Sequence, residues 1–156
     1  MSDQSSASLE EAKAGFNEFY ECLVPALVDF IEKMGVTPAH QVLKHAAQYV
    51  PYLERSLENM VVKDEEDRMW LLIRMGYFIG EYFAQQYGGC WYVNDLPGSR
   101  YFSRYVVGKF SKWNHPTLMI DPFEVSKIYV ETPVPRRLEN LLKEVERELK
   151  QVAEAS

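Results

Sequence analysis

Histidine and cysteine are scarce in this chain, with three of the first and two of the second among 156 residues, and that scarcity removes most metal chemistry at once. His40 and His45 stand five apart, which places them on different faces of one helix and excludes the four-residue spacing of helical zinc ligands. His115 sits in a turn beside Pro116. Cys22 and Cys90 form no CxxC pair, and a chain of this size with an adequate core does not depend on one bridge, so both are expected as reduced, mostly buried thiols. HExxH, a glycine-rich phosphate loop, a GxSxG elbow and a dinucleotide fingerprint are all missing. No catalytic residue, metal or cofactor is therefore expected.

Long apolar runs are missing as well. No stretch reaches the about eighteen uninterrupted apolar residues of a membrane span, and the N-terminus MSDQSSASLEEA has no basic segment followed by an apolar one. A cytoplasmic protein with no membrane partner is expected. Concentrated positive charge is the third absence. The net charge of -6 divides into -7 over residues 1–87, +3 over 88–137 and -2 over 138–156. An acidic body with a mildly basic middle lacks the positive patch that releases counterions from phosphates, which argues against nucleic acid.

Apolar material is abundant, at 47% hydrophobic and 13% aromatic residues, and the length suits one domain over 1–156 with residues 1–7 disordered. Ser8 with Glu11 three residues on reads as a capping box opening the first helix. Its apolar face is Phe16, Phe19, Tyr20, Leu23, Leu27, Phe30 and Ile31, with Pro25 expected to bend it and Gly35 to end it. Thr37 with Pro38 predicts the start of a second helix running to about Tyr49, and Pro51 a break before a third, to Met60.

The strongest element is a long helix from Asp64 to Tyr87. Asp64 to Asp67 is an acidic quartet suited to a helix start, and it lacks the interleaved glycine and late glutamate of a calcium loop. MWLLIRMGYFIGEYFAQQY is apolar on nearly all sides, which marks a helix covered all round. Gly76 and Gly80 predict close approach by another backbone, and Gly88–Gly89 a left-handed stop.

From Cys90 the period changes to two. CWYVN, RYVVGKF and TLMI read as three short strands of an antiparallel meander, separated by DLPGS and KWNHP. Asp121 then caps a helix through Glu131, and a last helix begins near Arg136 with Leu138, Leu142, Val145, Leu149 and Val152 in a heptad stripe that either covers the core or pairs with a second copy as a homodimer. The fold class is α+β: a helical N-terminal half with a long central helix, a small three-stranded meander and C-terminal helices.

Two groups of residues are candidates for function. Arg100, Tyr101, Arg104, Tyr105 and Trp113 combine arginine with aromatics in the manner of protein-binding hot spots. Arg74 and Glu81, seven apart on the spine, interrupt its apolar pattern and with Tyr77 could line a pocket between spine and sheet, Glu81 as a base and Arg74 as an anion anchor. The bland alternative is a narrow polar stripe or an ion pair with other helices.

GYFIGEYFAQQYGGCWYVNDLPGSRYFSRYVV followed by IDPFEVSKIYV resembles a loose set of uncharacterised bacterial domains in which a GxxxGE helix runs through a GG turn into a strand and then a DPF-initiated helix. The resemblance covers residues 76–131 and implies an α+β fold and a bacterial source, and it carries over no catalytic residue. Small acidic proteins of this design suggest a toxin-neutralising immunity protein or an adaptor. The expected function is thus a non-catalytic protein-binding module; the alternative is a small-molecule-binding protein or enzyme using the pocket of Arg74, Tyr77 and Glu81.

Overall fold

Asp64 begins the central helix as its sequence dictates: its carboxylate accepts from the Asp67 amide at 2.8 Å, and Glu65, Glu66 and Asp67 sit in the first turn against the positive end of the helix dipole. The computed structural model describes residues 2–155. The central helix, α4, is Glu65–Tyr87, and Gly88 closes it at φ 66°. No residue from Leu71 to Gln85 is exposed, so the apolar pattern on all sides does describe an enclosed spine.

The first helix, α1, is Ser2–Lys33 and lays Leu23, Leu27, Phe30 and Ile31 into the core at 0% exposure. Its start differs from the expected cap at Ser8. Helical backbone runs through Ser8 and Glu11 and through the segment expected to be disordered from Ser2 onward, while Met1 lies outside the described residues. A serine inside a continuing helix has no orphan amides to cap. Pro25 is likewise contained within α1.

The second helix is later and shorter than Thr37–Pro38 predicts: α2 is Val42–His45, a 3₁₀ turn follows at Ala46–Tyr49, and α3 is Val50–Leu57. The Pro38 carbonyl receives the Tyr49 hydroxyl, and the Val42 amide bonds Ala39 instead. Pro38 therefore receives a side-chain bond and no helical amide bond.

The sheet is the expected meander, β1 (Cys90–Val93), β2 (Tyr105–Gly108) and β3 (Met119–Ile120), antiparallel in the order β1-β2-β3. Asp121 accepts from the Phe123 and Glu124 amides and opens α5, Pro122–Glu131. This helix is bolted to the spine by the buried Ser126 hydroxyl, which donates to the Leu72 carbonyl at 2.6 Å. Gly76 and Gly80 do admit close neighbours, but these are aromatic rings and not backbone. A Cβ at Gly76 would fall inside the ring of Phe123 from α5, and one at Gly80 inside the Trp91 indole from β1.

The last helix, α6, is Leu138–Ala155. Its stripe divides: Leu138, Leu142 and Leu149 are buried, Val145 is half-buried and Val152 is exposed. Arg136 just before it is 4% exposed; its guanidinium donates to the Leu57 and Met60 carbonyls and lies over the Tyr129 ring. It closes the end of α3 from a distance of 79 residues. The two cysteines are free, and both are exposed in place of the expected burial. Cys22 is one residue off the buried face of α1 that begins at Leu23, and Cys90 is the outward first residue of β1.

Among the described residues no helix is long and apolar enough to cross a membrane.

Candidate functional site

An open groove of about 940 Å³ lies between α5, α6, β3 and the 96–101 loop. Val125 and Ile128 form one wall, Leu141, Val145, Leu149 and Val152 the other, and Leu96 overhangs one end. Three of these are large apolar side chains left in solvent, Leu96 at 41%, Ile128 at 55% and Val152 at 50%. An isolated exposed leucine is ordinary; here three exposed apolar side chains border one concavity.

The loop that supplies Leu96, Arg100 and Tyr101 is shaped by Asn94, which is 1% exposed. Its side chain donates to Ser99 Oγ at 3.0 Å and accepts from the Leu96 amide at 3.2 Å, while its backbone bonds Arg104 and Ser103. Asparagine closing a turn on its own downstream backbone is the reason this segment is ordered at all. Ser103 completes the return at φ 63°.

Of the five residues expected to bind a partner, the structure brings together three. Arg100 lies over the Tyr101 ring at 4.7 Å and pairs with Glu124; Arg104 lies 5.7 Å from the same ring and pairs with Asp121 at 2.9 Å and Glu124 at 3.2 Å. Asp121 is buried, and its hydrogen bond holds the Arg104 guanidinium still more firmly protonated. Burial, followed by the charge on Glu124, raises the Tyr101 hydroxyl above its ordinary value. Tyr105 lies elsewhere: it stacks on Phe19 at 4.3 Å and donates to the Ala12 carbonyl at 2.9 Å, binding α1 to the sheet. Trp113 stacks on Tyr87 at 4.4 Å beside Phe110. Both are half-buried packing residues.

The arginines therefore do not present free positive charge, because Asp121 and Glu124 answer them. Across the groove, Glu148 has no ion pair among the described residues, and Glu144 reaches only its helix neighbour Arg147, at 3.8 Å. Among the described residues, the carboxylate left without an ion partner on this side of the groove is that of Glu148.

Arg74 and Tyr77 are near enough for the arginine's charge to act on the tyrosine hydroxyl, but Glu81 does not join them. Arg74 lies over the Trp70 ring at 4.8 Å and donates to the Trp70 carbonyl at 3.1 Å. Tyr77 packs against Phe19 and Phe123. Glu81 instead lines a separate cavity of about 380 Å³ with Phe16, Tyr20, Ala84, Gln85, Gly89, Cys90 and Trp91. It is 6% exposed, and the Tyr20 hydroxyl donates to its Oε1 at 3.4 Å. Burial pushes its carboxyl above the ordinary carboxylate range, and Gln85, Tyr20 and Trp91 pull it partly back. The Trp91 contribution is weak, since its indole N–H completes no hydrogen bond of good geometry. Gln85 is committed to the fold, accepting from the Ala46 amide at 2.8 Å and donating to the Val42 carbonyl at 3.0 Å.

Sequence reasoning read Asp121 only as the cap of α5, and missed Glu124, Ile128, Glu144 and Glu148 as parts of one surface. The exposed Ile128 and the surplus of glutamate on α6 were the available signals. Among the described residues no cluster of histidine, cysteine or carboxylates is arranged to hold a metal ion. Comparison of the chain with protein-family models, curated proteins and solved structures finds no match.

Proposed function

We propose that this chain is a non-catalytic protein-binding module whose partner docks in the groove between α5 and α6, as an immunity or adaptor protein would. The observation that carries the reading is the groove itself, with Leu96, Ile128 and Val152 exposed around one concavity under an acidic rim. Its geometry suits an apolar stripe of a partner element laid between two helices. The glutamates of the groove favour a basic partner, with Lys or Arg flanking that stripe opposite Glu144 and Glu148. Arg100, Tyr101 and Arg104 form a shoulder beside the groove, tied to Asp121 and Glu124 by ion pairs.

The test is affinity capture from cells that express the chain natively, in parallel with an Ile128→Asp variant. A stoichiometric partner retained by the wild type and lost by the variant supports the reading. No stoichiometric partner, or one that ignores the substitution, overturns it.

A further inference from the structure

A second site, remote from the groove, is built around Glu81. The carboxyl is 6% exposed and lines the 380 Å³ cavity. A carboxylate this buried is costly unless paired, and no ion pair to Glu81 exists among the described residues. Hydrogen-bond donors are at hand, the Tyr20 hydroxyl at 3.4 Å and the buried, unpartnered Trp91 indole N–H. What the carboxylate lacks is a positive charge.

The walls supply the rest of a recognisable chemistry. Phe16 and Tyr20 on α1 stand with ring centroids 6.3 Å apart, and Trp91 borders the same cavity from β1. Aromatic faces attract cations through their quadrupole, and aromatic walls with a carboxylate are how proteins hold quaternary ammonium groups. Trp91 is held close because its six-membered ring rests against Gly80, where any Cβ would displace it. The cost of helix-interior glycine is thereby offset by positioning the ring next to the residue that follows, Glu81.

We propose that the cavity of Phe16, Tyr20, Glu81 and Trp91 binds a small organic cation, an alkylammonium group whose charge is met by Glu81 and whose methyl or methylene groups rest on the three rings. The cavity is open to solvent beside Tyr20, itself 39% exposed, so the ligand enters without unfolding α1.

The test uses choline chloride as the probe and its uncharged isostere 3,3-dimethylbutan-1-ol as the control. The Trp91 indole N–H resonance, assigned by its loss in Trp91→Phe, is followed by NMR through each titration. Choline should give a saturable shift, weakened about tenfold or more in Glu81→Gln and in Tyr20→Ala, and about tenfold or more by replacing it with the neutral isostere. Denaturation midpoints confirm that both variants are folded. No saturable shift at choline concentrations on the order of 10 mM, equal binding of the isostere, or equal binding by folded Glu81→Gln would each overturn the proposal. These outcomes leave the groove untouched, since no residue of one site lines the other.

Discussion

Glu81 is where a single residue couples burial to pH. Its carboxyl is raised above the ordinary range, chiefly by burial, so the folded state binds a proton more tightly than the unfolded chain does. Stability from this residue is therefore full below the unfolded value of 4.5 and falls as pH rises from there through the raised folded value. Glu81→Gln removes the titration. Urea denaturation of both proteins across pH should show the variant gaining on the wild type through that window and holding a constant advantage above it; a difference that does not change with pH would refute the assignment. Gly80 makes the complementary case one residue earlier. Gly80→Ala improves helix propensity by about 1 kcal/mol but drives a methyl group into the Trp91 ring, and overpacking of that kind costs about 1–3 kcal/mol. A fall in the thermal midpoint, with a changed Trp91 indole resonance, is the expected result.

At the scale of elements, boundaries set by one side chain on its own backbone were legible in the sequence, and those set from a distance were not. Asp64 and Asp121 cap α4 and α5 through amides two or three residues on, so both starts could be read locally. The start of α2 could not: the Pro38 carbonyl receives the Tyr49 hydroxyl from eleven residues on, a contact no local pattern encodes. Nor could the role of Arg136, whose partners Leu57 and Met60 are remote in sequence. Tyr105 and Trp113 have hot-spot composition but are recruited by Phe19 and Tyr87 from other helices, contacts that no local pattern encodes. Asp121 lets the two contributions to one element be separated. Asp121→Ala deletes both cap bonds and the Arg104 pair and should cost about 1–2 kcal/mol. Asp121→Asn keeps a capping oxygen and gives up only a pair to a half-exposed arginine, for which less than about 1 kcal/mol is expected. Chemical denaturation of the two variants gives the order; equal losses would assign the effect to the ion pair alone.

Across the whole molecule, the segment charges anticipated an acidic protein but not the sign of the charge that lines the α5–α6 groove. The basic middle is answered internally by Asp121 and Glu124, and the groove is rimmed by Glu144 and Glu148 from a helix that the heptad stripe described only by its apolar face. Exposed charge acts over about 10 Å at 0.1 M salt, so on the proposed function the two glutamates would guide a basic partner toward the groove without contributing much to the bound state. Ile128 does the reverse, because an apolar contact is made only after docking. Once a partner is in hand, the association rate measured by stopped-flow fluorescence should fall about tenfold or more between low and physiological salt. Glu144→Lys with Glu148→Lys should slow association and flatten that dependence. Ile128→Asp should leave the association rate within about threefold and raise the dissociation rate, since mutational changes in affinity fall mostly on dissociation. All three positions are exposed, and substitutions there should move the stability of the free chain by no more than about 0.5 kcal/mol. If reversing the two glutamates leaves the salt dependence intact, the partner approaches by another face and the groove is not its dock.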